Sequence, residues 1–338
     1  MKRILSAPMV VVHFMLLTSL LLAGTGCVAT RPERPQATPA PVGGADILER
    51  RFDWSKATAV HPSIMRTSFA AEQPRLMKGS CVRVDLADKR LRFHISGRPE
   101  NWGEPMPECP EKPFRIRTRR QTVRSYMLDA RRPAAEGGLG LNMIVGVNTT
   151  PWSPWEAPWN HKFADETGLI VKDGEIIAPA IGYPSFVVYK NGRVEFRNFG
   201  RDEPVTNIQT AVSGFGVVMT NGIILAKNNP ASLAPRTGFG LSRDKRYLYL
   251  FVVDGRQPDY SMGANTYEVA TWLRHFGADD GMNMDGGGST TLFCWDPEAD
   301  PLNTDPKSSE TPNLHKLNRQ MGNAERAVAC PMGIYVAE

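Results

Sequence analysis

The chain has 338 residues, 41% of them hydrophobic and 22% charged, with a formal net charge of +5 at pH 7. That apolar share suffices for a packed core and excludes a disordered chain. So small a positive balance, part of it in Lys2 and Arg3, gives no electrostatic footprint for nucleic acid.

In chain order, Lys2 and Arg3 precede a mainly apolar run over residues 9–23, and small residues then lead to Cys27. Residues 1–27 have the layout of a signal peptide and are short for a membrane span. Cys27 after Gly24, Thr25 and Gly26 resembles a bacterial lipoprotein signal, although Gly24 stands where Leu is usual. The expectation is export with Cys27 lipidated, ordinary signal cleavage being the alternative. Val28 lacks the Asp of inner-membrane retention, which places the anchor in the outer membrane, on its periplasmic or surface side. Residues 28–46 are rich in Pro, Ala and Gly and read as a tether.

Roughly 290 residues remain, compatible with one large β-containing unit. Residues 47–125 form a β-rich segment, with CVRVDL (residues 81–86) and RLRFHIS (90–96) as strands. In RIRTRRQTVR, Arg115, Arg117 and Arg119 alternate, as on the solvated face of a strand. Asp173-Gly174, Asn191-Gly192 and Asn221-Gly222 each sit between two apolar runs, a hairpin signal. YLYLFVVDG (247–255) is a further strand. The best helical period lies in NTYEVATWLRH, where Asn265 and Glu268 predict a capping box and Gly277 a stop. The class is therefore α+β, a β-rich mixed-sheet core with few helices. Apart from Cys27 the cysteines are even in number, and in an exported chain Cys81–Cys109 and Cys294–Cys330 are the preferred disulfides. Residues 296–324 read as a long polar, Pro-containing loop, able to cover the segment before it.

That segment, NMDGGGSTTL (residues 283–292), carries Asp285, then Gly286, Gly287 and Gly288, then Ser289, Thr290 and Thr291. Three glycines are costly to order. Either they make a sharp turn, or their N–H groups form an anion-binding nest beside a carboxylate. No Lys follows, so this is not a P-loop, and Thr291 stands where a nucleophile elbow needs Gly. The histidines show no metal-ligand spacing; Asp279, Asp280 and Asp285 leave Ca²⁺ as a weak option, without EF-hand spacing.

Together with PRTGFGL (235–241), VVDGRQPDYSMG (252–263), the helix carrying Glu268 and ERAVACPMGIYV (325–336), this motif resembles the phosphodiester glycosidase family. The resemblance runs from about residue 141 to 336 and makes residues 126–338 the catalytic domain. It implies a β-rich fold without a cofactor. It also implies a glycosyl phosphodiester substrate, met by Asn148, Arg236, Thr237, Arg256, Gly286, Gly287, Gly288, Ser289, Thr290 and Arg326. After Asn148, Thr149 to Trp152 depart from the family pattern; Trp152, Trp155 and Trp159 are sugar-stacking or packed aromatics.

Hydrolysis at an anomeric carbon needs a carboxylate near the ring. A phosphate leaving group needs its charge held more than it needs a proton. Asp285 is the first candidate, as nucleophile or general base, followed by Glu268, whose alternative role is the capping box. Asp254 comes third, its alternative roles being to orient Arg256 or to accept a turn N–H. The function expected is an exported hydrolase of a sugar-1-phosphodiester in an envelope glycan, anchored to the membrane by its lipid. The alternatives are a non-catalytic phosphoglycan-binding protein and a glycosidase of uncharged glycosides.

Overall fold

The computed structural model describes residues 50–156, 160–298, 307 and 310–337. The expected signal, Cys27, the tether and Trp159 lie outside the described residues. Among the described residues no helix is long and apolar enough to cross a membrane.

An eight-stranded sheet forms the base of the fold. Its spatial order is Thr58–His61, Ile64–Ala71, Met77–Asp85, Tyr247–Val253, Arg236–Leu241, Asp280–Asn283, Gly216–Thr220 and Ile223–Ile224. Two five-stranded sheets lie on it, one built around Pro184–Tyr189 and Ile208–Ser213, the other around Asn142–Asn148 and Pro331–Val336. The main core fills the space between them, with Val82, Leu250 and Phe239 of the base meeting Phe186, Val212, Val145 and Ile334. Phe186 meets Phe239 edge-on at 5.9 Å between ring centroids, a favoured aromatic geometry.

Among the described residues two α-helices cover the outer faces. Helix α1, Val123–Arg131, packs Val123, Tyr126, Met127 and Ala130 on Met143, Phe293 and Val328. Helix α2, Thr266–Phe276, packs Val269, Trp272, Leu273 and Phe276 on the outer face of the base sheet with Phe251 and Trp54. Its start is the capping box expected: Asn265 Oδ1 accepts from the Glu268 N–H at 3.0 Å, and Glu268 Oε2 accepts from the Asn265 N–H at 2.9 Å. All three hairpins form at their Asn-Gly or Asp-Gly pairs. Asp173, Gly174, Asn221 and Gly222 adopt positive φ, as a type I′ turn demands. The fold class is therefore β-rich α+β, as read from the sequence.

Three expectations are corrected. The boundary near residue 125 does not exist, because Met77–Asp85 pairs through residues 79–85 with Tyr247–Val253, and Leu91–Ile95 pairs with Pro331–Val336. Residues 47–125 are thus not a separate segment, and the unit containing them runs over Ala40–Glu338. None of Cys81, Cys109, Cys294 and Cys330 is in a disulfide; all four are buried free thiols. Cys294 and Cys330 have the strand Asn142–Asn148 between them, two interstrand spacings of about 4.8 Å, beyond the reach of an S–S bond. Finally, the polar stretch after Asp296 is not loop throughout: Leu314–Lys316 pairs with Leu292–Trp295. The Arg115, Arg117 and Arg119 alternation does hold, with Ile116, Thr118 and Arg120 buried between them.

Candidate active site

Strand Asp280–Asn283 runs through the base sheet between Arg236–Leu241 and Gly216–Thr220 and delivers Asp285 just beyond its end. There the chain leaves the sheet but stays fixed. The Asp285 N–H donates to Thr149 O at 2.8 Å, and the Met284 N–H donates to Thr237 O at 2.9 Å. Asn148, fully buried, is the hub. Its Nδ2 donates to Asp285 O at 2.8 Å, and its Oδ1 accepts from Thr237 Oγ1 at 2.8 Å and from the Thr291 N–H at 3.0 Å. Asn148 and Thr237 therefore hold the backbone of the loop and do not face the pocket.

The three glycines have separate steric reasons. A Cβ at Gly286 would stand 2.9 Å from Pro235 O, and one at Gly288 would stand 2.6 Å from the Arg326 guanidinium carbon. Gly287 has φ of 62° and lies against the Arg256 guanidinium, where a Cβ would be 3.3 Å from Nη1. The run lets two arginines close onto the backbone. It is not an anion nest: the N–H groups of Gly286, Gly287, Ser289 and Thr290 donate to Asp285 Oδ1, Pro235 O, Gly286 O and Gly287 O.

Beneath the loop lie residues that sequence reasoning missed. Asn318 Nδ2 donates to Thr290 O at 3.0 Å while its Oδ1 accepts from the Leu292 N–H, and Gln320 Nε2 donates to Thr291 Oγ1 at 2.6 Å. The described part of the polar stretch thus buttresses the loop from below. Its sequence signal is only the pair of amides following the strand at residue 316.

Asp285 opens on a pocket of about 490 Å³, within the usual range for small-ligand sites. Gly286 and Gly287 also line it, as do Arg236 and Arg256 on one side and Trp152, Trp155, Tyr183 and Phe215 on others. Tyr183 and Phe215 carry no sequence motif and were not anticipated. Trp152 is buried under the Arg120 guanidinium, 4.0 Å from the ring centroid, whereas Trp155 is 54% exposed at the mouth. Arg326 approaches from the opposite side of the loop, over the Trp155 ring at 5.4 Å. The Arg256 backbone has φ of 59°, a left-handed conformation that costs a non-glycine residue about 1–3 kcal/mol and concentrates at functional sites.

Electrostatically the pocket is one buried carboxylate facing arginines. Burial raises the Asp285 pKa to about 6, against the opposing pull of Ser289, the Gly286 N–H, Arg326 and Trp152. Of these the Gly286 N–H donates to Oδ1 at 2.9 Å. Asp285 Oδ2, Ser289 Oγ, Thr290 Oγ1 and Trp152 Nε1 are buried and make no hydrogen bond of ordinary geometry within the protein. Burial, then Arg256, pull the Arg236 pKa down; for Arg326 the chief cause is also burial, with Asp285 opposing it. Clustered cations of this kind favour an anion between them.

The other two candidate carboxylates lie elsewhere. Glu268 is buried in its capping box and paired with Arg75, and it does not line the pocket. Asp254 is turned away from Arg256 in the same motif and lines a separate cavity of about 360 Å³ with Tyr260, Lys316 and Asn318. It accepts from the Arg319 N–H at 2.8 Å, and burial raises its pKa to about 6. Asp279 and Asp280 are engaged by Arg243 and Lys245, at the far end of the strand from Asp285. Among the described residues no group of three metal-ligating side chains occurs.

The family model for phosphodiester glycosidases matches residues 142–335. No curated protein matches the sequence. Among solved structures, the zebrafish N-acetylglucosamine-1-phosphodiester alpha-N-acetylglucosaminidase catalytic domain, auto-inhibited by its pro-peptide, is similar with TM-score 0.53 and 18% identity over 84% of this chain and 87% of that one. A hypothetical protein from Synechocystis gives TM-score 0.47 and 11% identity over 81% and 62% of the two chains. A putative exported protein from Burkholderia pseudomallei gives 0.46 and 14% over 77% and 74%. The zebrafish likeness supports the fold.

Proposed function

The chain belongs to the phosphodiester glycosidase family, and from that premise we infer that it hydrolyses the glycosidic bond of a sugar-1-phosphodiester. One observation carries the reading: among the described residues Asp285 is the only carboxylate lining a pocket that also presents Arg236 and Arg256. An ordinary glycosidase needs two carboxylates across the ring, one of them protonating the leaving alcohol. Here the missing acid is supported by the arginines, since a phosphate departs without a proton when its charge is held.

In the proposed reaction the sugar ring rests against Trp155 at the mouth, and the phosphate sits between Arg236 and Arg256. Asp285 takes a proton from water as its oxygen bonds the anomeric carbon. The bond from that carbon to the phosphate oxygen breaks, its electron pair leaves with the phosphate monoester, and the proton passes to solvent. Arg326 steadies the ionised Asp285. Asn148, Thr237, Asn318 and Gln320 act as positioning residues for the Asp285 loop, and Glu268 and Asp254 are outside the reaction. The sugar tested first is N-acetylglucosamine, the sugar in the name of the zebrafish relative. The expected export and lipid anchor would place the enzyme beside envelope glycans.

The test is hydrolysis of N-acetylglucosamine-1-phosphate esters by the protein and by Asp285→Asn. Loss of a general base predicts a fall in kcat of about 10²–10⁴-fold with the fold intact. Full activity in Asp285→Asn would remove Asp285 from the reaction.

A further inference from the structure

Beside the pocket, strand Gly216–Thr220 pairs with the edge strand Ile223–Ile224, with Met219 opposite Ile224 and Thr220 opposite Ile223. Directly opposed residues share a face of a sheet. Met219 and Ile224 pack under helix α2, so Ile223 and Leu225 point to the other face. On the other side of the strand, Val217 is opposite Met282, whose side chain enters the main core, so Val217 and Phe215 share that same second face.

Nothing among the described residues covers this end of the face. Phe215 is 51% exposed, Val217 36%, Ile223 66% and Leu225 57%. Residues 215–226 contain no charged side chain, although exposed edge strands are usually guarded by charge. The strip is continuous with the pocket: Phe215 lines it, and the segment leaving Leu225 returns to it at Leu233. From Phe215 to Thr220 the strip runs about 17 Å. One end therefore meets the arginines, and the exposed side chains that lead away from it, Val217, Leu225 and Ile223, are apolar.

We propose that the substrate is amphiphilic: the alcohol across the phosphate is a long alkyl or prenyl chain, which lies along Phe215, Val217 and Leu225 while Arg236 and Arg256 hold the phosphate. This rests on the sugar-1-phosphodiester reading and specifies its leaving group. The product is then an alkyl phosphate, formed with the same bond changes. A second copy of the chain is the weaker occupant, because four partly exposed side chains fall short of the about 800 Å² per partner that a stable interface buries. A membrane surface would account for the apolar face but not for its continuity with the arginine pocket.

The test uses the full chain in unacylated form, titrated calorimetrically with methyl phosphate and with decyl phosphate below its aggregation threshold. Decyl phosphate is expected to bind at least tenfold tighter. Val217→Ser/Leu225→Ser, which alters no pocket-lining residue, is expected to erase most of that gain and to leave methyl phosphate binding unchanged. Equal affinities, or a gain that survives the double variant, overturn the proposal. It also fails if the variant abolishes binding to phosphatidylcholine vesicles or dissolves a dimer while chain length has no effect; the face then belongs to a membrane or a second copy. Hydrolysis of N-acetylglucosamine-1-phosphate methyl and decyl esters separates the two readings. Turnover indifferent to chain length keeps the activity and rejects the amphiphilic substrate. Chain-length-dependent binding with no turnover of either ester does the reverse.

Discussion

At the scale of single residues, the site depends on Asp285 being buried and kept near its working range. Its pKa of about 6 has a catalytic and a stability consequence. As a general base it is active when ionised, so kcat/KM is expected to rise with pH through about 6, and a flat profile between pH 5 and 7 would contradict that role. For stability, a carboxyl whose folded pKa lies above its unfolded value contributes stability below the unfolded pKa. That contribution is lost as pH rises through the folded one. At pH 7.5 the buried charge therefore costs the fold about 1–3 kcal/mol. Asp285→Asn is expected to raise the thermal midpoint at pH 7.5 while removing activity, the exchange common at catalytic sites; a lowered midpoint would mean that the charge is compensated within the folded protein.

At the scale of elements, the loop over residues 285–291 is held from two strands: Asn148 at the end of one, and Asn318 and Gln320 just after Leu314–Lys316, bond its backbone and hydroxyls. Helix α2 lies outside that machinery. Glu268 closes its capping box and pairs with partly buried Arg75. Glu268→Gln is thus expected to lower stability by about 1–3 kcal/mol in denaturant titration and to leave kcat unchanged. A fall in kcat beyond tenfold at unchanged stability would return Glu268 to the reaction. These elements also show what the sequence made legible. The hairpins at Asp173-Gly174 and Asn221-Gly222 and the start of α2 are written in a few adjacent residues, because positive φ and capping are local demands. Helix α1 is hard to see in the sequence, although Val123, Tyr126, Met127 and Ala130 have helical spacing. They follow directly on an alternating arginine run that does form extended chain, and Arg124 within the helix is itself buried against Glu325. Asp285 and the arginines were legible through motif order. Their partners Tyr183, Phe215, Asn318 and Gln320 come from parts of the chain that only the finished sheets bring together.

At the scale of the molecule, the base sheet joins Met77–Asp85 to a strand some 160 residues later, and no local pattern could announce that pairing. This is why the segment before residue 125 reads as separate in the sequence and is not so in the fold. The same assembly buries groups that the reaction does not use. Glu166 is buried with its pKa raised to about 8, mainly by desolvation, and His94 is lowered to about 4 by burial. The two act in opposite directions. Glu166 contributes stability that is lost as pH rises from its unfolded value through about 8. His94 contributes stability present above its unfolded pKa and lost as pH falls toward 4. Between pH 6.5 and 8 the histidine adds only about a few tenths of a kcal/mol, so the midpoint in urea is expected to fall by the equivalent of about 1–2 kcal/mol. Glu166→Gln is expected to flatten that decline, and an unchanged slope would show that Glu166 is charged in the folded protein.

In the proposed reaction the fold positions Asp285 and water against the anomeric carbon, with the arginines on the departing phosphate. The most direct test is turnover of an N-acetylglucosamine-1-phosphate ester in ¹⁸O-labelled water. Attack at the anomeric carbon leaves the label on C1 of the released sugar and none in the phosphate monoester. Label in the phosphate would mean attack at phosphorus, and the site would then be a phosphodiesterase centre, not a glycosidase.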